Sequence, residues 1–354
     1  MKIKIHSSEL NRMMKTISQC IDPRFQDRGN IEIIHDNNLL TIRSTNGQIA
    51  AVVSTPMLGS DGEVFSVDGT MFAKVCAMCN GEIEITTDTK NCVIKGAGRT
   101  RLPILNGNVP SYTHVEGNTA VISADELTRC YKGVSYAISE DQSRVQLTGV
   151  LALSDGNEMR MVALDGFQMS TEVSECEGND MKIIIPGTFL KLIVQGTITG
   201  ENVKIVTDGK RVEAITDGMM IVSGLLSGEY PDYKKIIPTN FSTECIVKVE
   251  ELRNALKCGS VVNSKQNLVK LDISETCIKV MSNSEDADYE ADVQCDTHGD
   301  GLKIAFNQKY LMNTINAIDT EEAILKFNSS VSPCVIQGKD EDGIRLLLPV
   351  RVAG

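Results

Sequence analysis

The sequence predicts an α+β fold made of three tandem repeats. Three stretches of similar pattern, KIKIHSSELNRMM, AVISADELTRCYK and IVKVEELRNALK, each read as a short strand followed by a helix that begins with an acidic residue before leucine. The marker acids are Glu9, Glu126 and Glu251, spaced 117 and 125 residues apart in a chain of 354 residues. One unit of about a third of the chain is therefore used three times.

A second helix in each repeat supports the same division. Its predicted openings are Asp68, Pro186 and Asn307, in VDGTMFAKVCAMCNG, IPGTFLKLIVQG and FNQKYLMNTINAI. Solenoid repeats have periods of roughly 20–50 residues, so this longer period indicates whole domains in tandem. We predict domains at 1–117, 118–240 and 241–354, with NGNVPSYTHVEGN (106–118) as the first linker.

Alternating apolar and β-branched residues predict the strands between these helices. Examples are IEII (31–34), LLTIRS (39–44), GEIEITT (81–87), VKIVTDGKRVEAITDGMMIV (203–222) and KLDISETCIKVMS (270–282). Asp-Gly pairs between them are typical of hairpin turns, except at Asp68, which is predicted to start a helix. Each domain is expected to contain two helices and two small, mostly antiparallel sheets, whose outer strands could pair with strands of a neighbouring domain.

Composition indicates a folded cytoplasmic protein without a membrane segment. Hydrophobic residues make up 42% and charged residues 23% of the chain, and the N-terminus alternates apolar and polar residues, unlike a signal peptide. Eleven cysteines are scattered along the sequence, which favours reduced thiols in apolar surroundings. Cys76 and Cys79 have CxxC spacing inside an apolar helical pattern, so core packing is preferred over a zinc or redox site.

The sequence gives little support for an enzyme. Its four histidines, His6, His35, His114 and His298, have no metal-ligand spacing, and P-loop, GxSxG and complete dinucleotide-binding motifs are absent. We therefore expect no catalytic residues, metal or cofactor. A metal-free acid/base site formed by distant carboxylates stays open as an alternative.

The six predicted helices carry a charge bias that the whole chain does not. The net charge is −12, yet beyond their first turns these helices contain only basic charged residues: Arg12, Lys15, Lys74, Arg129, Lys132, Lys191, Arg253, Lys257 and Lys309. Helices that merely face solvent would be expected to mix in acids for i,i+4 pairing. The bias predicts that the helices face one positive space suited to a phosphate backbone, and the lack of accompanying aromatic residues favours duplex over single-stranded DNA.

Several segments resemble the bacterial sliding clamp family, the β subunit of DNA polymerase III. They are ALDGFQMS (163–170), LLSGEYPDYKKIIP (225–238), FNQKYLMNTINAI and the C-terminal LLLPVRV, and the resemblance covers the whole chain. It implies three DNA-clamp domains forming half of a six-domain ring, a head-to-tail homodimer around duplex DNA. It further implies a processivity factor without catalytic activity that docks the polymerase III catalytic subunit, the clamp loader and other repair or polymerase proteins.

The resemblance also assigns three groups of residues. Arg24 matches the family's DNA-contacting arginine. A partner-peptide groove would use Leu147, Leu164, Gly166, Phe167, Gln168, Met169, Pro231, Lys235, Ile236, Leu348, Pro349, Val350 and Arg351. Ring closure would pair an edge containing Arg99, Arg101 and Leu102 with a region around Val261 and Val262.

The sequence departs from the family within the groove. Phe167 and Gln168 stand where histidine and arginine are usual, and Leu164 replaces a threonine, so a more apolar groove with an altered peptide preference is expected. A glutamine that contacts DNA in the family corresponds to Asp141 here. Because Asp141 is acidic, we do not expect that contact in this chain. The altered groove leaves open a specialised or mobile-element clamp that serves a non-replicative polymerase.

Overall fold

A computed structural model describes residues 2–25, 28–58, 62–107, 109–110, 113–196, 200–262 and 267–351. Asn108, Ser111 and Tyr112 of the predicted first linker lie outside these ranges. The described residues form six α-helices: α1 Ser7–Ile17, α2 Gly69–Ala77, α3 Ala124–Ser135, α4 Gly187–Gln195, α5 Val249–Val262 and α6 Gln308–Asn316. Short 3₁₀ turns lie at Ser18–Cys20, Gln142–Thr148 and Tyr233–Ile236.

The strands recur in the predicted order around these helices. The first third has β1 Lys2–His6, β2 Asn30–Asp36, β3 Leu39–Thr45, β4 Ile49–Pro56, β5 Glu63–Asp68, β6 Glu82–Thr87, β7 Asn91–Lys95 and β8 Arg99–Pro103. The second has β9 Asn118–Ser123, β10 Gly149–Asp155, β11 Glu158–Leu164, β12 Gln168–Glu175, β13 Glu177–Gly178, β14 Asp180–Pro186, β15 Asn202–Thr207, β16 Arg211–Thr216 and β17 Met219–Gly224. The third has β18 Thr243–Lys248, β19 Leu268–Ile273, β20 Cys277–Asn283, β21 Asp288–Gly299, β22 Leu302–Asn307, β23 Glu322–Phe327, β24 Cys334–Gly338 and β25 Arg345–Leu347.

The predicted helix starts are confirmed. Asp68, Pro186 and Asn307 are the N-caps of α2, α4 and α6, and the Asp68 carboxylate accepts a hydrogen bond from the Met71 backbone N–H at 2.6 Å. Side-chain capping of this kind satisfies backbone donors that the helix itself leaves unpaired. Asp68 and Asn307 cap their helices in this way, whereas Pro186 has no side-chain cap hydrogen bond.

Residues group into two compact units. The first unit comprises 1–128, 154–157 and 176–226, and the second comprises 129–153, 158–175 and 227–354. The three-domain boundaries proposed from the repeats stay a prediction.

The first unit contains two antiparallel sheets. One has four strands in the order β1-β6-β7-β8, and the other has nine in the order β13-β9-β15-β16-β17-β4-β3-β2-β5. In the larger sheet β17 pairs with β4, with Met219 opposite Val53 and Ile221 opposite Ala51. Strands from the second repeat thus continue a sheet of the first, as predicted.

The second unit contains a longer sheet of mixed origin. Within this unit its strands follow the order β10-β11-β12-β25-β24-β23-β18-β21-β20-β19-β22, and the pairings from β11 to β22 are antiparallel. The junction is β12 with β25, where Gln168 lies opposite Leu347 and Ser170 opposite Arg345. The small sheets expected for each domain are therefore merged across repeats.

Apolar residues of the helices and strands form the cores. In the second unit α5 and α6 contribute Leu252, Leu256, Leu311 and Ile315, all fully buried, beneath strand residues such as Phe306. Burial of such side chains stabilises the fold by roughly 1.5–3 kcal/mol each. Among the described residues no helix is long and apolar enough to cross a membrane, and no cluster of three potential metal ligands is found.

The cysteines mostly belong to these cores. Cys76 and Cys79 are buried, and burial raises the pKa of the Cys76 thiol to about 12. A thiol in such apolar surroundings stays protonated and unreactive. Cys258 on α5 is the one cysteine of the eleven that is exposed.

Candidate nucleic-acid and peptide-binding sites

The six helices keep the charge pattern that the sequence indicated. The acids of α1, α3 and α5 lie in their first turns, at Glu9, at Asp125 and Glu126, and at Glu250 and Glu251, while α2, α4 and α6 contain none. Carboxylates at helix N-termini are favoured by the helix dipole. Past these turns the charged residues of the helices are basic.

The arginines of this basic set are held by internal partners. Arg12 donates from Nε to Glu9 at 3.0 Å, and Arg253 donates to Glu250 at 3.2 Å and to the Ile318 carbonyl at 3.2 Å. Both acid pairs have i,i+3 spacing, a signal that was visible in the sequence. These guanidinium groups are therefore partly engaged in hydrogen bonds within the chain.

The lysines differ from the arginines because their side chains are exposed to solvent. They are Lys15, Lys74, Lys132, Lys191, Lys257 and Lys309. An ammonium on a flexible stem acts as a mobile point charge rather than a fixed two-pronged donor. These six residues give the helices a positive surface without a geometry that would fix a ligand in one register.

Arg24 lies in the loop between the 3₁₀ turn Ser18–Cys20 and β2. Its Nε and Nη2 both donate to the Asp22 carboxylate at 2.8 Å, and this pairing lowers the pKa of Asp22. The Arg24 side chain is nevertheless 81% exposed. The two-pronged pair orients the guanidinium while leaving it accessible to an anion.

The predicted groove residues 164–169 form a tight turn between β11 and β12. The Asp165 carboxylate accepts hydrogen bonds from the backbone N–H groups of Phe167 at 2.7 Å and Gln168 at 2.9 Å, and Gly166 has φ of 99°. Asp and Gly are well suited to this Asx-type turn because Gly adopts positive φ without strain. The turn projects Phe167, which is 56% exposed.

Phe167 packs on an aromatic residue that sequence reasoning missed. Its ring is stacked on Tyr310 of α6 with centroids 5.9 Å apart, and its carbonyl accepts a hydrogen bond from Leu348 N–H at 2.9 Å. Leu348 and Val350 are both exposed, and Val350 N–H donates to the Ala305 carbonyl at 2.8 Å. The turn, α6 and the segment after β25 therefore form one apolar surface.

The other groove residues divide between a buried layer and an exposed rim. Leu147, Leu164, Gln168 and Met169 are at most 6% exposed, whereas Gly166, Pro231, Lys235, Ile236 and Arg351 are exposed and Pro349 is intermediate. Lys235 pairs with Asp232 at 3.0 Å. Partly exposed apolar residues with a few polar neighbours are the composition of a short-peptide site.

Gln168 lies at the base of the β11–β12 turn, and its side chain is buried. Its amide donates to the Tyr136 carbonyl and to the Asp165 carboxylate, both at 3.0 Å, so the side chain braces the turn. It offers no positive charge to a partner. The more apolar groove expected from the sequence stays a prediction.

A buried ion network lies beside the groove strands. Arg345 is 2% exposed and donates to Glu172 at 2.6 Å and to the Ala317 carbonyl at 2.7 Å, while Arg129 of α3 donates to the other Glu172 oxygen at 2.7 Å. Burial raises the pKa of Glu172, while the charges of Arg345 and Arg129 act in the opposite direction. The network borders a polar cavity of about 260 Å³ that Lys132 also lines.

The residues predicted for ring closure lie on an edge strand and at a helix end. Arg99 and Arg101 are exposed on β8, the last strand of the four-stranded sheet, while Leu102 is buried. Val261, near the end of α5, is 84% exposed. An exposed strand edge and an unusually exposed apolar residue are both features of surfaces that bind another chain.

Comparisons with known proteins identify related chains. The family models for the central and C-terminal domains of the DNA polymerase III beta subunit match residues 121–232 and 234–351. The beta sliding clamp of Streptococcus pneumoniae is 25% identical over 344 residues, covering 91% of each chain.

Solved structures extend the likeness to the full chain. The DNA polymerase III beta subunit of Thermotoga maritima is 25% identical with a TM-score of 0.91, covering 99% of this chain and all of that one. The DNA polymerase sliding clamp of Bacillus subtilis, at 22% identity, shares the fold with a TM-score of 0.90 over both complete chains.

The repeated folds, together with helices whose exposed charge is basic, are typical of proteins that bind other macromolecules. The chain belongs to the family of the DNA polymerase III beta subunit, and it is a DNA sliding clamp. The enzyme alternative is thereby excluded, since the family is a processivity factor and carries no catalytic site.

Proposed function

We propose that two copies of this chain close head to tail into a cytoplasmic ring that encircles duplex DNA and tethers the replicative polymerase. The observation that carries the proposal is the separation of charge on the helices. In a chain of net charge −12, helix acids are confined to first turns and six lysines stand exposed beyond them. A positive inner surface and an acidic remainder are what a ring around a phosphate backbone needs.

The kind of basic residue also suits sliding. All three arginines of the basic set, Arg12, Arg129 and Arg253, are bound to carboxylates. The exposed positive charge of the helices is therefore carried mainly by lysine. Lysine attracts phosphates without two-pronged geometry, and such contacts are sequence-independent and easily exchanged. If the ring prevents escape by topology, weak contacts are sufficient and movement along DNA is not impeded.

The apolar surface around Phe167 and Tyr310 is proposed to bind a short peptide from each client. The clients expected are the polymerase III catalytic subunit, the clamp loader and other repair or polymerase proteins. Phe167, Ile236, Leu348 and Val350 offer exposed apolar contacts, while the buried residues beneath them hold the surface rigid. A rigid apolar pocket reduces the entropy lost when a flexible peptide binds.

Ring closure is proposed to bring β8 of one copy against the end of α5 of the other. On the strand, the exposed Arg99 and Arg101 precede the buried Leu102, and Val261 is exposed at the helix end. Apolar contacts surrounded by charged residues form interfaces that are stable yet can be opened by a loader.

The test is retention on DNA. The protein is loaded with a clamp loader on a nicked circular plasmid, separated from unbound protein, and the plasmid is then cut once. A topological ring is released promptly after linearisation. Unchanged retention on the linear product would contradict the ring and favour ordinary DNA binding.

A second candidate, a specialised clamp for a non-replicative polymerase, is favoured by the altered groove. Phe167 is an exposed aromatic residue and Gln168 is committed to bracing the turn. A pull-down with the host's replicative polymerase distinguishes the two. Capture that is lost in Phe167→Ala supports the replicative clamp, whereas no capture by the intact protein supports the specialised one.

A further inference from the structure

The loop after α1, which contains Arg24, lines a pocket whose other residues the family resemblance does not assign. Residues 21–25 and Arg28 line one side, and Asn46 and Gln48, from the turn between β3 and β4, line the other. Its volume is about 530 Å³, within the roughly 300–1,000 Å³ range of small-molecule sites. All of these residues belong to the first unit.

Phe25 is the unusual member of this pocket. Its side chain is 47% exposed, and the Arg28 guanidinium carbon lies 4.9 Å from the ring centroid in a cation–π arrangement. The backbone around it is closed by hydrogen bonds from Phe25 N–H to the Asp22 carbonyl at 3.2 Å and from Gly29 N–H to the Phe25 carbonyl at 2.8 Å. The backbone at Phe25 is therefore held by hydrogen bonds while its ring is open to solvent.

Polar groups surround the exposed ring. Arg24 is oriented by its two-pronged pair with Asp22, and Arg28 adds a second guanidinium. The Asn46 side-chain oxygen accepts hydrogen bonds from the Gln48 and Ile49 backbone N–H groups at 3.0 and 2.9 Å, which leaves the amide NH₂ as the donor toward the pocket. The pocket thus combines cations, amide groups and an aromatic face.

These three kinds of group suit the phosphate, the face of the base and the edge of the base in a nucleotide. Guanidinium groups bind phosphate, an aromatic ring stacks on a base, and side-chain amides hydrogen-bond to base edges. Within a duplex, bases are stacked on each other and only the phosphates and groove edges are accessible. An aromatic face at this loop would therefore gain contact only from a base that is unpaired.

We propose that this pocket binds an unpaired nucleotide of DNA where single strand adjoins duplex, with its base stacked on Phe25. The inference rests on the proposed function, because it places the loop beside DNA held by the ring. It adds to the sequence-independent lysine contacts a site that recognises a junction. A clamp with such a site would pause at primer ends rather than slide uniformly.

The experiment measures binding of the full chain to two fluorescent DNAs, a blunt duplex and the same duplex with a single-stranded tail. 2-Aminopurine at the first unpaired position reports stacking through quenching of its fluorescence. The variants are Phe25→Ala and Phe25→Tyr, and the control is Phe241→Ala. Phe241 forms a similar pair with Lys326, at 5.8 Å, in the second unit.

The tailed DNA is expected to bind about tenfold more tightly than the blunt duplex, the order of effect of one base–aromatic stack. Phe25→Ala abolishes this preference and the quenching, and it leaves the slope of affinity against salt unchanged because no phosphate contact is removed. Phe25→Tyr and Phe241→Ala retain both. Equal binding of tailed DNA by wild type and Phe25→Ala, or equal losses in the Ala and Tyr variants, would overturn the proposal.

Retention of the protein on nicked circular DNA, measured on the same preparations, distinguishes failure of the junction site from failure of the proposed ring. Wild type that is not released by linearisation refutes the ring. Wild type that behaves as a ring but shows no Phe25-dependent tail preference refutes only the junction site. Circular dichroism of each variant confirms that the exposed Phe25 can be replaced without unfolding the chain.

Discussion

The buried ion network makes the sharpest prediction about stability. Arg345→Met removes a cation that is 2% exposed and that donates to Glu172 at 2.6 Å and to the Ala317 carbonyl at 2.7 Å. Removing one partner of a buried pair costs roughly 3–5 kcal/mol of unfolding free energy. Because Arg129 still pairs with Glu172 at 2.7 Å, the lower end, about 3 kcal/mol, is expected.

A double-mutant cycle isolates the pair from the other contacts of Arg345. Glu172→Gln keeps the shape of the side chain and removes its charge, at an expected cost of about 2 kcal/mol. The double variant Arg345→Met/Glu172→Gln removes both charges of the pair together. Its loss of unfolding free energy should therefore be about 3 kcal/mol, which gives a coupling energy between the two residues of about 2 kcal/mol. Additive losses would contradict the network.

The assay is urea unfolding followed by far-UV circular dichroism, since the chain has no tryptophan. Two units can give two transitions, so hydrogen exchange at β12 and β25 identifies the transition that belongs to the second unit. Arg160→Met is the matched control. Arg160 pairs with Glu158 at 3.0 Å on the surface, and loss of that pair should cost less than about 1 kcal/mol. Equal effects of Arg345→Met and Arg160→Met would refute the reasoning.

Three further predictions concern binding and reactivity. Phe167→Ala should lower the affinity for a fluorescent client peptide about thirtyfold, as expected for an anchor residue that contributes roughly 2 kcal/mol of binding free energy. The affinity is measured by fluorescence anisotropy, and an unchanged value would show that the peptide binds elsewhere. Lys132→Ala should reduce the slope of log affinity for DNA against log salt by about 0.9 without changing the stability of the fold. Arg129→Ala should instead lower stability, because it removes a hydrogen-bond partner of the buried Glu172. A stability loss in Lys132→Ala and none in Arg129→Ala would contradict this division between lysines and arginines. With a thiol reagent at pH 8, one of eleven cysteines, Cys258, should react rapidly, because burial raises the pKa of other thiols such as Cys20 to about 12; several fast thiols would disprove that packing.

Local signals in the sequence were enough to predict the repeated order of elements. Capping at Asp68 and Asn307 and the apolar periodicity of the helices depend on neighbouring residues, and both are present in the structure. The pairing of β12 with β25 joins residues more than 170 positions apart. Such pairing depends on tertiary packing, which the sequence pattern indicated only as a possibility for outer strands.

The binding surfaces were less predictable than the fold. Tyr310 could not be assigned from the sequence, because its stacking on Phe167 depends on how α6 meets the β11–β12 turn. Arg129 was grouped with the DNA-facing residues by its position on α3, although it binds Glu172, a partner 43 residues away. By contrast, the i,i+3 spacing of Glu9 with Arg12 already signalled that this arginine would be paired.

The central claim is that the chain is held on DNA by topology, with lysines providing weak contacts. The most direct test compares linear DNA with open ends, linear DNA whose ends are blocked by bound protein, and the nicked circle, all loaded identically. The account predicts long retention on the circle and on the blocked linear DNA, and rapid loss from open ends. Equal lifetimes on open and blocked linear DNA would contradict it.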